Sequence, residues 1–441
     1  MPAGFPNSPP KWIAAFLAIA AAIWLAYAGG KHELASYYAL SSNPENWERA
    51  TRIEPDNPEL WYRLGRFRHL DFDNADIPSA ITHYRRAVQL NPRSPYYKLD
   101  LADALEIAGD EREAGATFRA AQAAYPISPE VSWKYGNFLL RQDRSPEAFA
   151  EIHRAILVDP GLLPLAVSRV WHSDPDVHRL LDQVLPGTPG AYEQALGFLI
   201  DSGETAAAIE VWNGLIAKDP HPDMKWAIAL TDLLVKQEKF DQAATVWRQA
   251  TGFAPASRNG SLVYDGGFEK DICAGGFGWQ RTVIQGADFD FDTDEKHSGE
   301  RSARLTFDGS MNLQYQNLFQ YVLVSPNTRY HFQGYLHTDQ ISTESGIRFE
   351  ILDPQDSRRL DVLTSNTTGT QPWTLEQADF TTAPGEHRIL VRIARTPSGR
   401  LDNKLRGTVW IDDVAILPAA ISSAENTVAP GNRDTRSREA K

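Results

Sequence analysis

The pattern of hydrophobic and polar positions changes twice along the chain. An almost uninterrupted apolar run extends from Trp12 to Ala28. Apolar positions at helical spacing follow it, and after these come short alternating runs separated by Gly, Pro, Asn and Asp. The last residues are polar and aperiodic, which predicts a disordered tail. We therefore predict four segments: an N-terminal segment over 1–30, helices over 31–256, a β domain over 257–418 and a tail over 419–441.

The apolar run predicts where the protein resides. Its 17 residues would span about 25 Å as a helix, near the lower limit for crossing a bilayer. Trp12, Trp24 and Tyr27 lie near its ends, where aromatic rings favour the membrane interface. Ala26-Tyr27-Ala28 also has the small-x-small pattern of a signal-peptide cleavage site. We favour a retained membrane anchor through residues 12–28, with the bulk of the chain periplasmic or otherwise extracytoplasmic. A cleaved signal would make the protein secreted.

The helical region contains a repeat with a period of 34 residues. Pro92, Pro126 and Pro160 follow this spacing. Two series of alanines share it, namely Ala80, Ala114 and Ala148, and Ala87, Ala121 and Ala155. Each unit thus has small residues where two helices can approach and a proline that ends the second helix.

This pattern resembles the tetratricopeptide repeat family. The first full unit carries seven positions of the family pattern: Trp61, Leu64, Gly65, Ala80, Tyr84, Ala87 and Pro92. A half unit with Trp47 and Ala50 precedes it, and the stretch 161–187 departs from the pattern. The resemblance implies an α-helical solenoid in which most aromatic residues are core. It also implies a groove that docks a partner protein.

The last third of the chain predicts a two-sheet sandwich. Seven runs have the alternation and the turn residues that are typical of strands. They are Ser261–Glu269, Ala303–Phe307, Leu313–Val324, Tyr330–Thr338, Ile347–Leu352, His387–Arg395 and Gly407–Leu417. Four aspartates at alternate positions, from Asp288 to Asp294, would form one acidic face if that segment were also a strand.

Sequence motifs at the two ends of this region resemble the jelly-roll carbohydrate-binding modules, which have a galactose-binding-like fold. Asp265-Gly266-Gly267-Phe268-Glu269 opens the region and Ile411-Asp412-Asp413-Val414 closes it. In that family an acidic residue at the first strand and another at the last often hold a structural calcium ion. The resemblance therefore implies Glu269 and Asp412 as metal ligands, with Asp413 as an alternate. The alternative is a pair of solvated or hydrogen-bonded carboxylates at the end of a sheet.

Strand alternation also predicts a ligand-binding face. The polar positions of three strands would form one face if the strands share a sheet, and they are Gln333, Tyr335, Arg348, Glu350 and Arg392. Aromatic platforms and planar polar groups suit sugar recognition, whereas an ordinary solvent face with an Arg–Glu pair is the alternative. We predict Trp279 and Trp373 in loops, where each would either stack on a sugar or cap the core.

Composition narrows the function further. The net charge of -13 over 441 residues argues against nucleic acid as a partner. The single cysteine, Cys273, excludes an intramolecular disulfide and cysteine-rich metal sites. The sequence has no nucleophile elbow, metalloprotease, phosphate-loop or dinucleotide-binding motif.

These observations together predict a non-enzymatic scaffold anchored in the cell envelope. Its helical groove would dock a protein and its sandwich would bind a glycan, in the assembly of surface or exported polysaccharide. Two alternatives stay open at this point: a scaffold that binds proteins alone, and a hydrolase whose site carries no recognisable motif.

Overall fold

The chain folds into a helical part followed by two antiparallel sheets, as the sequence predicts. The computed structural model describes residues 11–41, 43–71, 75–253, 260–273 and 275–419. Residues 420–441 of the predicted tail lie outside the described residues. The chain divides into two compact units, Met1–Phe198 and Leu199–Lys441. The division lies before the change from helices to strands, so the last helices belong to the same unit as the sheets.

The described residues contain fourteen α-helices. They are α1 (Lys11–Ala39), α2 (Pro44–Ile53), α3 (Pro58–Leu70), α4 (Ile77–Leu90), α5 (Pro95–Ile107), α6 (Glu111–Ala124), α7 (Pro129–Arg141), α8 (Ser145–Val158), α9 (Leu163–Ser173), α10 (Val177–Arg179), α11 (Pro189–Asp201), α12 (Thr205–Lys218), α13 (Met224–Lys236) and α14 (Phe240–Thr251). A 3₁₀ turn at Pro160–Leu162 and a π turn at Leu180–Val184 interrupt the series. Both lie at the stretch where the repeat pattern is lost.

The first helix is longer than the apolar run that predicts it. Gly29 and Gly30 lie within α1 without ending it, and the helix continues to Ala39. Ala35, in its second half, is buried together with Ala50 of α2 and Leu60 of α3. The half unit predicted before the first full repeat is therefore paired with α1. The span Trp12–Ala39 has a mean hydropathy of 2.0, and its most apolar part is not buried in the protein. A membrane anchor and a signal sequence share these properties.

The repeats are held by close helix contacts at small residues. A Cβ atom on Gly65 of α3 would lie 2.7 Å from the ring of Tyr84 on α4. At the equivalent place in a later repeat, a Cβ atom on Gly136 would lie 2.9 Å from Cγ1 of Ile152. Each larger residue is fully buried. The 34-residue pattern thus records where two helices of one repeat touch.

One position in the turn between paired helices has a left-handed backbone conformation. It is Gly109 (φ 84°) in one repeat and Asp143 (φ 55°) in the next, 34 residues later. Gly203 (φ 75°) and Glu238 (φ 58°) occupy the same place in the last two pairs. Glycine adopts this conformation without steric cost, whereas an L side chain there is uncommon.

Ten strands form the sandwich. They are β1 (Gln280–Arg281), β2 (Ala287–Asp292), β3 (Ser302–Asp308), β4 (Leu318–Leu323), β5 (Arg329–Ile341), β6 (Arg348–Leu352), β7 (Asp361–Leu363), β8 (Gly369–Thr381), β9 (Arg388–Ala394) and β10 (Arg406–Pro418). The first sheet has the order β1-β4-β9-β6-β7 and the second has the order β2-β3-β10-β5-β8. Phe332 of the second sheet and Phe349 of the first meet in the core with ring centres 5.0 Å apart.

Six of the seven predicted runs contain a strand, and Ser261–Glu269 does not. That segment turns instead, because Asp265 and Phe268 adopt positive φ. The Asp265 carboxylate accepts the backbone N–H groups of Glu269 and Lys270, which fixes the turn. The long edge strand β8 was not predicted as a strand, since most of its residues are exposed and its sequence does not alternate. The aspartate-rich segment from Ala287 to Asp292 is the edge strand β2.

The last two helices pack directly against the sandwich. Trp247 of α14 contacts the rings of Tyr264 and Phe277, with ring centres 5.4 and 5.9 Å apart. Asp232 of α13 accepts the N–H of Gly276 at 2.9 Å. A Cβ atom on Gly276 would lie 2.3 Å from Cζ3 of Trp247, so only glycine fits there.

One buried arginine ties together the loops at one end of the sandwich. The side chain of Arg395 is 1 % exposed, and burial lowers its pKa. It donates hydrogen bonds to backbone and side-chain oxygens of Asn312, Leu313, Thr343, Ser345 and Asn403. None of these acceptors is a carboxylate, so neutral dipoles alone stabilise the buried charge.

We expect Gly276→Ala to destabilise the protein by about 2–4 kcal/mol, because it combines a left-handed alanine with a collision against Trp247. The free energy of unfolding of the full chain in denaturant measures this. Gly369→Ala is the matched control, since Gly369 also has positive φ but no atom within 4 Å of its Cβ position. Equal losses in the two variants would contradict the packing argument.

We expect Arg395→Met to cost about 3–5 kcal/mol, because five oxygen acceptors would lose their donor in a buried place. The same unfolding measurement tests it. Arg400→Met serves as the control, because the Arg400 side chain is 77 % exposed. A loss below about 1 kcal/mol for Arg395→Met would show that water replaces the guanidinium.

Candidate functional site

The outer surface of the second sheet carries the densest set of aromatic and polar side chains described in the sandwich. On β5, Phe332 and Leu336 point into the core, so the residues between them face outward. The outward residues of β5 are half-buried, namely His331, Gln333, Tyr335, His337 and Asp339. Trp373 on β8 and Trp410 on β10 flank them, because β5 lies between these two strands. We call Tyr335, His337, Trp373 and Trp410 the aromatic face.

The loop between β2 and β3 lies across the aromatic face. The ring of His297 stacks on Tyr335 with ring centres 3.6 Å apart. Glu295 Oε1 accepts the indole N–H of Trp373 at 2.8 Å. The same oxygen lies 2.9 Å from Nδ1 of His337. The loop therefore already occupies one face of the Tyr335 ring.

A second set of contacts holds Trp410 in place. His337 stacks on Trp410 with ring centres 4.7 Å apart. Asp292 Oδ2 accepts the indole N–H of Trp410 at 2.9 Å and pairs with Arg304 at 3.0 Å. Arg304 also pairs with Asp290 at 3.1 Å. The acidic alternation of β2 thus orients aromatic and basic groups on the neighbouring strands.

The environment of Asp292 strongly favours its ionised form. Burial raises the pKa of this carboxyl group, but the hydrogen bond from Trp410 outweighs it. Backbone N–H groups of Glu295 and Asp294 and the charge of Arg304 lower the pKa further, to about 2. Asp292 is therefore a charged acceptor throughout the physiological pH range.

The prediction of one ligand-binding face across three strands is wrong. Gln333 and Tyr335 lie on β5 of the second sheet, whereas Arg348, Glu350 and Arg392 lie on the first. The two sheets expose opposite outer surfaces, so these residues cannot act together. On the first sheet, Arg392 Nε donates to Glu350 Oε2 at 2.5 Å across directly paired positions. Arg348 donates to Asn366 at 2.7 Å. These contacts match the alternative of an Arg–Glu pair on a solvent face.

The two candidate tryptophans differ from the prediction of loop aromatics. Trp279 is 2 % exposed and stacks on Phe268 with ring centres 4.7 Å apart. Its indole N–H donates to the backbone oxygen of Asp265 at 3.1 Å. Trp279 is thus a core residue that caps the sandwich. Trp373 lies within β8 rather than in a loop and is half-buried.

The structure brings Glu269 and Asp412 to the same place beside Gly267. A Cβ atom on Gly267 would lie 3.7 Å from both Asp412 Oδ1 and Glu269 Cγ. Asp412 is fully buried, and burial together with the charge of Asp413 raises its pKa. The sequence therefore placed the two carboxylates correctly at one sheet end.

Backbone N–H groups surround these carboxylates. Asp412 Oδ2 accepts the N–H groups of His297 and Ser298 at 2.9 and 3.0 Å. Its Oδ1 accepts the N–H of Asp413 at 2.8 Å, and Glu269 Oε1 accepts that of Glu300 at 2.8 Å. Calcium needs oxygen ligands, and N–H donors repel it, so this donor set does not fit a calcium shell. Within the described residues, no group of three His, Cys, Asp or Glu side chains could hold a metal ion. The calcium assignment stays a prediction.

The helical part carries a charge ladder that the sequence analysis missed. Arg66, Asp100 and Lys134 lie 34 residues apart, on α3, α5 and α7. Asp100 pairs with Arg66 at 3.6 Å and with Lys134 at 3.4 Å. Lys134 also pairs with Asp103 at 2.7 Å. The signal was present in the sequence as charges of alternating sign at the repeat period.

Two tyrosines extend the ladder along the same helices. Tyr62 donates its hydroxyl to Asp100 at 2.8 Å, and its ring lies 4.5 Å from that of Tyr97. Tyr97 donates to Glu59 at 3.1 Å, and burial followed by the Glu59 charge raises its pKa to about 12. Both tyrosines therefore act as neutral hydrogen-bond donors. This polar, half-buried surface on the first helices of three repeats is the candidate protein-binding face.

We expect stability to fall with pH in the acid range because of Asp292. Its pKa of about 2 lies below the ordinary value of 3.8, so its stabilisation is complete above pH 3.8 and is lost as pH falls toward 2. Asp292→Asn should remove about 1–2 kcal/mol of this dependence. Unfolding free energies of the full chain at a series of pH values measure it.

Asp290→Asn is the matched control for that experiment. Asp290 pairs with the same Arg304, but its side chain is 70 % exposed. Its pH dependence should match that of the wild-type protein. Identical curves for Asp292→Asn and wild type would contradict the assigned role of Asp292.

Comparison with known proteins supports the division into helices and sheets. A tetratricopeptide repeat family model matches residues 69–129. No curated protein matches the chain significantly.

Three similar solved structures each cover one part of the chain. The tetratricopeptide repeat protein YrrB, with an unusual peptide-binding site, is 13% identical over 48% of this chain and 93% of its own, with a TM-score of 0.24. The CBM22-1 xylan-binding domain of Paenibacillus barcinonensis Xyn10C is 18% identical over 37% and 97%, with a TM-score of 0.27. The enzymatically active domain of bacteriophage CBA120 tailspike protein 4 is 13% identical over 38% and 24%, with a TM-score of 0.26. TM-scores this low say nothing about what this chain binds. The chain thus carries tetratricopeptide repeat sequence in its helical part, followed by two antiparallel sheets that are similar to a carbohydrate-binding module.

Proposed function

We propose that this protein is a non-enzymatic scaffold of the cell envelope that holds a partner protein and a glycan. The helical repeats would dock the partner, the sandwich would bind the glycan, and α1 would anchor the chain with its bulk outside the cytoplasm. Such a scaffold would serve the assembly of surface or exported polysaccharide.

The aromatic face is the observation that carries the glycan part of this proposal. Sugar rings pack on aromatic side chains, while their hydroxyl groups bond to carboxylates and amides. Trp373 and Trp410 stand beside the carboxylates of Glu295 and Asp292, which already fix the orientation of each indole. Gln333 supplies a planar amide on the same surface. The arrangement therefore has both kinds of group on one rigid sheet.

The charge ladder supports the protein-docking part. A surface made of Arg66, Asp100 and Lys134 alternates in charge and offers both donors and acceptors to a peptide. Tyr62 and Tyr97 add amphipathic rings, which are common in protein interfaces. The tetratricopeptide repeat pattern places these residues on the first helix of each repeat.

A scaffold that binds proteins alone is the second candidate. His297 covers a face of Tyr335, and His337 covers a face of Trp410. A sugar that stacks on either covered face must first displace a histidine. This observation favours a sandwich that keeps the sheet architecture without sugar binding.

A glycan array tests the two candidates with the full chain in detergent micelles. We expect binding to at least one polysaccharide, and we expect Trp373→Ala to weaken it about tenfold or more through the loss of a stacking platform. Phe319→Ala is the matched control, because Phe319 is a half-buried aromatic residue on β4 of the opposite sheet. It should leave binding unchanged.

Other outcomes of the array assign the protein differently. No binding to any glycan would favour the protein-only scaffold. Equal loss in both variants would place the ligand away from the aromatic face. Release of shorter sugars from a bound glycan would establish a hydrolase and overturn the proposal.

A further inference from the structure

A small cavity lies at one end of the first sheet, far along the strands from the loops that Arg395 holds. It has a volume of about 80 Å³. Its walls come from the loop after β6, the turn before β9 and the turn between α13 and α14. A space of this size holds an ion with a few waters but is too small for a sugar ring.

Two buried carboxylates in the cavity wall each have an oxygen without a hydrogen-bond donor. Asp353 and Glu386 are both 3 % exposed. Asp353 Oδ1 accepts the N–H groups of Gln355 and Asp356, but its Oδ2 has no hydrogen bond. Glu386 Oε2 accepts the N–H of Ala383 at 2.6 Å, but its Oε1 has none. Buried polar atoms are nearly always paired, so these two oxygens call for a ligand.

The positive groups nearby do not meet this need. Arg359 Nη1 lies 3.2 Å from Asp353 Oδ2 without forming a hydrogen bond, and its Nη2 donates to Pro384 O at 2.8 Å. His387 stacks on Phe240 with ring centres 5.4 Å apart. Glu386 has no ion pair among the described contacts.

The remaining charged groups on the cavity wall leave it acidic. Arg388 also lines the cavity, and its guanidinium lies 4.8 Å from the centre of the Tyr321 ring. Glu238, at the left-handed position of the α13–α14 turn, adds a third carboxylate to the wall. Three carboxylates therefore face two guanidinium groups across the cavity. Burial and the charge of Asp353 both raise the pKa of Glu386, as expected where a carboxylate lacks a counter-ion.

We propose that this cavity binds one divalent cation, Ca²⁺, between Asp353 Oδ2 and Glu386 Oε1. Hard oxygen ligands suit calcium, and water would complete its shell. Because two carboxylates supply the protein ligands, we expect weak affinity, with Kd of about 10⁻⁴–10⁻³ M as in extracellular calcium modules. The site is separate from Glu269 and Asp412, and it does not depend on glycan binding.

Equilibrium dialysis of the full chain in detergent micelles against radioactive Ca²⁺ tests the proposal. We expect one bound ion and, at 10 mM Ca²⁺ (roughly ten times Kd), a rise in Tm of about 3 °C. Glu386→Gln should weaken binding at least tenfold and abolish the rise in Tm. Glu269→Gln is the matched control, because it makes the same change at the other carboxylate site and should leave binding intact.

Several results would overturn the proposal. These are the absence of bound Ca²⁺, unchanged binding by Glu386→Gln, or loss of binding by Glu269→Gln. An equal rise in Tm with methylammonium chloride would identify the ligand as any small cation instead of a divalent one. Glu386→Gln should fold normally in chelator, since a neutral amide replaces a buried charge; Asp353→Asn provides a second variant if it does not.

Discussion

The packing of Trp247 against the loop at Gly276 joins the helices to the sandwich within the second unit. The indole approaches the backbone so closely that no side chain fits between them, and Asp232 from the preceding helix fixes the same loop. Tyr264 and Phe277 complete the contact from the β side. The last helix pair therefore serves both as the end of the repeat array and as part of the support of the sandwich. This explains why the compact unit begins at Leu199, before the first strand.

Carboxylates position most of the features that bear on function. Asp292 and Glu295 hold the two indoles of the aromatic face, and Asp100 links successive repeats in the charge ladder. Asp412 has all its partners among backbone N–H groups, so it orders a loop without needing an ion. Asp353 and Glu386 differ from these, because each keeps an unpaired oxygen in a buried place. The same chemical group thus has three roles, and its local donors decide which.

The covering of the aromatic face links structure to mechanism. A glycan that binds there gains stacking area only if the loop between β2 and β3 moves or if the uncovered ring faces suffice. His297 is held to Asp413 at 2.6 Å as well as to Tyr335, so displacing it breaks an ion-pair contact in addition to a stacked pair. Binding would then depend on how firmly this loop is held.

The sequence by itself determined the repeat architecture, the apolar first helix and most of the strands. These follow from local periodicity: Gly65 and Tyr84 recur at fixed spacing because two adjacent helices touch there, and the alternation along β5 shows which side chains face the core. Strand pairing was decided only in the tertiary structure. Alternation showed that Tyr335 and Arg392 point outward, but outward from different sheets, since pairing depends on contacts between distant segments. The roles of Trp279, Arg395 and the Asp353–Glu386 cavity were decided there too, because burial and missing donors are properties of the packed whole.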